Sequence, residues 1–169
     1  MFYSTTTDTY IQEGQQFELN GITYPPQWLN QSTPEQKAAI GLEEVVATNS
    51  PANDQYYWVS QTLDGATLTY VNTPKNLADV QKQTITQVNS TAYSLLLPTD
   101  WMASKAFETS TPIPTEWATW RASIRTTAAD TVTAINAATD VDGVETVMAN
   151  IVWSNDPNYV APVENTEVI

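Results

Sequence analysis

Hydrophobic and polar positions follow two different rhythms along this chain. Up to about residue 72 the apolar residues sit in short alternating or β-branched runs separated by turn residues. Thr9-Tyr10-Ile11 and Gln16-Phe17-Glu18-Leu19 flank Glu13-Gly14-Gln15 and predict a hairpin. Asn20-Gly21 predicts a tight turn before Ile22-Thr23-Tyr24, and Pro25-Pro26 stops that strand because proline has no amide hydrogen to give a ladder. Trp28 and Leu29 follow as apolar anchors. Thr33-Pro34-Glu35-Gln36 predicts the start of a short helix, with Ser32 or Thr33 as N-cap and Gly41 as the left-handed stop. Leu42-Glu43-Glu44-Val45-Val46 reads as a strand. Residues 55–62 and 66–71 read as two more, joined through Leu63-Asp64-Gly65, where Asp-Gly is the strongest hairpin signal in the chain.

At Thr73-Pro74 the period lengthens to about 3.6 residues. Leu77, Val80, Ile85, Val88, Ala92 and Leu95/Leu96 share one stripe and predict a helix over 75–97, ended by Pro98. A short helix capped by Thr99 covers Asp100 to Phe107. Trp117, Trp120/Arg121, Ile124, Ala128, Val132, Ile135 and Ala138 predict a second long helix over 115–138. Asp140 or Asp142 caps a shorter one carrying Val144, Val147/Met148 and Ile151. The expected fold class is α+β: a small antiparallel β-rich module over 1–72, then a helical module over 73–153. That second module is an antiparallel hairpin with a third short helix. Residues 154–169 read as an extended tail that orders on a partner.

Composition narrows the function. The 169 residues suit one domain or two small ones, and 41% are hydrophobic, enough to build a core. Only 15% are charged against about 25% in an average protein, and the balance is acidic: 19 Asp and Glu, 6 Lys and Arg, net −13. Such a surface repels phosphate, so neither nucleic acid nor an anionic membrane is an expected partner. Cysteine and histidine are both absent, which removes disulfides, thiol nucleophiles, the commonest general base and the commonest metal ligand. No apolar run approaches membrane-spanning length, and the N-terminus lacks a basic region followed by an apolar one. The expected place is a cytoplasm, or a particle assembled there.

Two blocks carry a family resemblance. Leu95-Leu96-Leu97-Pro98-Thr99-Asp100-Trp101 is followed by Pro114-Thr115-Glu116-Trp117 and then by Trp120-Arg121-Ala122-Ser123-Ile124-Arg125. The order Leu-Leu, Thr-Asp-Trp, Pro-x-x-Trp, aromatic-Arg-x-x-Ile-Arg resembles the C-terminal signature of small bacteriophage tail proteins known as tail assembly or tail-fibre assembly chaperones. Upstream, residues 21–29 (Gly-Ile-Thr-Tyr-Pro-Pro-Gln-Trp-Leu) and 33–41 look like the N-terminal module of the same proteins. Together the blocks cover roughly a third of the chain. Trp120 stands where Tyr is commoner, and the chain beyond residue 139 has no counterpart in the pattern. The resemblance implies a non-enzymatic phage protein that binds the tail or tail-fibre apparatus and assists fibre assembly or attachment. Its place would be the host cytoplasm during assembly, and the virion tail if it stays in the particle. A permanent virion subunit, an adaptor between fibre and baseplate, is the rival within that biology. A carbohydrate-binding receptor module is a third class, motivated by the aromatic residues. Partners would be a tail-fibre or baseplate protein, with homo-oligomerisation a further expectation.

No catalytic, cofactor or metal site is expected. Glu43-Glu44 and Asp140, Asp142, Glu145 are the densest carboxylates, but a glycosidase needs two facing each other across a sugar, and sequence neighbours do not supply that. Asp140-Val141-Asp142-Gly143 is a fragment of a calcium loop without the full spacing, and helix capping explains it more simply. Trp101 and Trp117 read as core, with a sugar-stacking shelf or a peptide groove as the functional alternative. Arg121 and Arg125 are four apart and share a helical face. They either pair internally, with Asp100 or Glu116, or dock a partner. The partner-binding candidates are Trp117, Arg121 and Arg125.

Overall fold

The computed structural model describes residues 1–158, and the chain divides into two compact units, Met1–Thr73 and Pro74–Ile169. The fold class is α+β, with strands first and helices after.

In the first unit, β1 (Phe2–Ser4) lies between β2 (Thr9–Ile11) and β5 (Leu42–Glu44), antiparallel to both. β3 (Phe17–Leu19) and β4 (Ile22–Tyr24) form a separate antiparallel pair. The expected hairpin between residues 9–11 and 16–19 is therefore corrected: each segment pairs elsewhere. The turns explain why. Asn20 (φ 54°) and Gly21 (φ 74°) both adopt the left-handed conformation that a two-residue type I′ hairpin needs, which commits β3 to β4. Asp8 (φ 53°) closes the 4–9 turn, its amide donating to Ser4 O at 2.9 Å, and commits β2 to β1.

Two short helices follow, α1 (Trp28–Gln31) and α2 (Pro34–Ala39). α2 opens with a full capping box between Thr33 and Gln36 and carries Pro34 at its first turn. Gly41 ends it at φ 79°, and a Cβ there would sit 2.7 Å from Thr6 Oγ1, so only glycine fits. Phe2, Ile11, Leu19, Leu29 and Leu42 form the core of this unit, with Phe17, Tyr24 and Trp28 packed on it. Phe17 stacks on Tyr24 with ring centroids 4.8 Å apart, and Trp28 meets Tyr24 edge-on at 4.8 Å. Of the upstream signature, Leu29 is thus a core residue, and Tyr24 and Trp28 are half-buried against the core.

β6 (Val46–Ala47), β7 (Tyr57–Asp64) and β8 (Thr67–Pro74) make a third sheet in the order β6-β8-β7. The Asp64-Gly65 region joins β7 to β8, and a connection this short requires antiparallel neighbours. β6 runs parallel to β8, so the module departs from the all-antiparallel expectation at that pair. The expected strand 42–46 is split between two sheets, with β5 in one and β6 in the other.

In the second unit, α3 (Leu77–Leu96) and α5 (Thr115–Ala137) pack along one another. They are antiparallel: Gln81 near the start of α3 reaches Ile135 and Ala138 at the end of α5, and Arg121 near the start of α5 reaches Leu96 at the end of α3. Their buried stripes are Val80, Thr84, Val88, Ala92 and Trp120, Arg121, Ile124, Ala128, Thr131, Ile135. Thr84 enters the stripe although polar, because its hydroxyl donates to Val80 O at 2.7 Å and leaves the methyl to the core. α6 (Val141–Ala149) buries Val141 and Val144 against the pair, with Asp140 as N-cap accepting from Gly143 N at 2.7 Å. A 3-10 turn, Leu97–Thr99, leads into α4 (Asp100–Thr109), so the unit has a fourth helix beyond the hairpin and its short companion. The start of the expected tail is held down, since Trp120 Nε1 donates to Ser154 O at 2.9 Å. Residues 159–169 of that expected tail lie outside the described residues.

Candidate protein-binding site

Of the predicted site residues, Arg121 points inward. It is 4% exposed and sits where α3 ends and α4 begins. Its Nη1 donates to Leu96 O at 3.1 Å and to the Thr99 hydroxyl, and its Nη2 pairs with Asp100 Oδ1 at 2.7 Å. The three acceptors come from consecutive backbone elements: the last turn of α3, the 3-10 turn and the first residue of α4. A helix end leaves carbonyls without amide partners, and a guanidinium with several donors in a fixed fork suits that position. Arg121 therefore fastens three elements together, and its burial corrects the expectation that it faces a partner. The internal pairing with Asp100 is the alternative realised.

Thr99 is corrected as well. Its side chain does not cap α4; the hydroxyl donates to Leu96 O at 2.8 Å and accepts from Arg121. Arg125 is exposed, with Nη1 3.4 Å from Arg121 O. Trp117 is half-buried, edge-on to Trp120 with centroids 5.7 Å apart, and lines a shallow cleft with Leu95, Pro98 and Asp156. The three candidates thus separate: one in the interior, one in a cleft, one on the surface.

Trp101 reverses the expectation that it is core. It is 57% exposed, and no residue of α4 is buried. Together with Met102, Ala106, Pro112, Ile113 and Pro114 it lines an apolar groove of about 160 Å³, with Lys105 Nζ 5.8 Å from the Trp101 ring centre. In the sequence a tryptophan just after a helix start reads first as core, with a groove only the alternative. Asp100 faces Arg121, and Trp101, one residue and about 100° further round the helix, is turned outward.

Among the described residues the carboxylates singled out in the sequence do not converge. Glu43 and Glu44 are exposed on β5, Asp140 is occupied as a cap, and among the described residues no group of three His, Cys, Asp or Glu is placed to hold a metal. Local bonds displace the ionisations of Tyr3 and Glu35, neither of which lines the groove. Tyr3 is raised above the ordinary phenol range mainly because its hydroxyl donates to Asp8 Oδ1 at 2.9 Å. Glu35 is lowered by its backbone amide and by the Thr33 hydroxyl at the start of α2. No helix among the described residues is long and apolar enough to cross a membrane. No family model matches the chain, and no curated protein or solved structure matches it either.

Proposed function

We propose that this protein is a non-enzymatic bacteriophage tail protein that binds the tail or tail-fibre apparatus and assists fibre assembly or attachment. One observation carries the proposal. Leu96, Thr99, Asp100 and Arg121, four residues of the sequence signature, meet around one buried guanidinium. A signature whose distant parts touch is harder to match by chance than one whose parts are scattered, so the contact supports reading the resemblance as real. The same signature contains Trp101, which is presented outward beside an apolar groove. A factor that shields apolar fibre surface until its final partner closes over it needs such a face.

Co-expression with the tail-fibre protein of the same phage tests the proposal, together with mass spectrometry of purified particles. A higher yield of soluble, assembled fibre and absence from particles is the expected result for an assembly factor. Presence at fixed copy number would make it a permanent subunit joining fibre and baseplate. No effect on fibre and no presence in particles would overturn the assignment to the tail.

A further inference from the structure

We propose that the groove between α4 and residues 111–114 is a docking site for a protein segment that offers a bulky apolar side chain edged by lysine or arginine. This goes beyond the tail assignment, naming a surface and a chemistry from the groove's geometry and the charge around it, and does not depend on that assignment.

α4 is unusual among the helices of its unit. It spans ten residues, yet none of them is buried, and Phe107 on it is 91% exposed. A helix this short is marginal in water unless something packs on it. Its N-terminal end is fastened by the Arg121–Asp100 pair, and further along it faces the 111–114 segment across the groove. The lining of Trp101, Met102, Pro112, Ile113 and Pro114 is apolar and adaptable, and the volume of about 160 Å³ admits one large side chain.

The charge around the groove selects the occupant. Glu108 lies seven residues, two helical turns, after Trp101 and so on the same edge of α4. Glu116 stands two residues after the lining Pro114, in the first turn of α5. Asp100, beside Trp101, is already paired with Arg121 and adds no free charge here. Against Glu108 and Glu116 the lining holds one cation, Lys105, and its ammonium lies over the Trp101 ring. A second copy of this chain would bring the same carboxylates and a further net charge of −13, so self-docking is opposed by repulsion at both short and long range. A partner with Lys or Arg flanking its apolar side chain is matched at both levels.

The test uses the full chain and two synthetic amphipathic peptides with the same Leu/Phe face, one rimmed by lysine and one by glutamate. Amide chemical-shift mapping and calorimetry follow each titration. The lysine-rimmed peptide should perturb residues 100–116 and bind at least about tenfold more tightly than the glutamate-rimmed one. Trp101→Ala, which removes an exposed side chain, should weaken that binding about tenfold or more. Glu108→Lys with Glu116→Lys should reverse the preference between the peptides, which separates a charge-read groove from a merely sticky one. Equal binding of both peptides, shifts outside residues 100–116, or no binding at about 1 mM would overturn the proposal. Self-association mapped to the same residues would assign the groove to a second copy and overturn it equally.

Discussion

Arg121 and Asp100 should respond to mutation in the reverse order of their exposure. Arg121→Met keeps the aliphatic stem and removes the guanidinium. Leu96 O keeps a partner, because the Thr99 hydroxyl still donates to it at 2.8 Å. Asp100, with half its side chain exposed, can rehydrate, so its share of the ion pair is small. What is lost is the set of charge-assisted bonds at a buried site, about 2 kcal/mol. Asp100→Ala looks milder but strands a guanidinium that is 5% exposed, with two neutral acceptors and no counter-charge. An uncompensated buried charge costs about 3–5 kcal/mol, and the partial access at Asp100 puts this case near the lower end, about 3. The double variant removes the stranded charge and should cost no more than Asp100→Ala alone. Thermal unfolding followed by far-ultraviolet circular dichroism reads this directly. For a unit of this size about 2 kcal/mol lowers the midpoint by roughly 8–16 °C. Midpoints within about 2 °C of the parent for both single variants, or strict additivity in the double, would refute the role given to Arg121.

Three further outcomes follow from the same geometry. Ile124 is fully buried between the long helices, so Ile124→Asp should cost about 4 kcal/mol or more and abolish most of the helical signal of the second unit; an unchanged midpoint would contradict the packing. Asp140→Ala should cost about 1 kcal/mol through loss of the α6 cap, and Asp140→Asn should restore most of it in the same melting assay. Tyr3 is held protonated by its bond to Asp8, so the stability it adds is present below the ordinary phenol range and is lost as pH rises through its elevated value. An ultraviolet absorbance titration should show Tyr3→Phe removing one phenol from the late part of the curve, and removal from the early part would show that the bond does not hold the proton.

Local rules made much of this fold legible in the sequence. Asn20-Gly21, the Thr33 to Gln36 capping box, Gly41 and the two 3.6-residue stripes all act within a few residues of themselves, and each stands where its chemistry required. Pairing was less legible. Residues 9–11 and 17–19 are both good strands, but which neighbour each takes depends on the turns at Asp8 and Asn20, and Asp8 carries no strong turn signature in sequence. The parallel seating of β6 on β8 joins residues about twenty apart and leaves no periodic trace. At the site, four-residue spacing put Arg121 and Arg125 on one face, yet it could not tell that the end of α3 would arrive against Arg121 and leave Arg125 outside. Gln81, which donates to Ile135 O at 2.9 Å and Ala138 O at 3.2 Å and so closes the other end of the hairpin, had no sequence signal at all.

Within the signature, the residues that hold the fold are separate from those that line the groove. Thr99, Asp100 and Arg121 are satisfied by one another, so changes there act on the joint between α3, α4 and α5. Trp101 lies between them in sequence but outside them in space, and its neighbours Lys105, Ile113 and Pro114 are likewise groove residues. On the proposed tail function, an Arg121 variant defective in fibre assembly should be so through displacement of α4, and lowering the temperature should rescue it. A Trp101 variant that loses assembly should keep its melting midpoint and resist that rescue, because the fold gains little from an indole left mostly in water. If both variants were rescued by cooling, the groove would be a by-product of the joint, and the outward tryptophan would have no role apart from the fold.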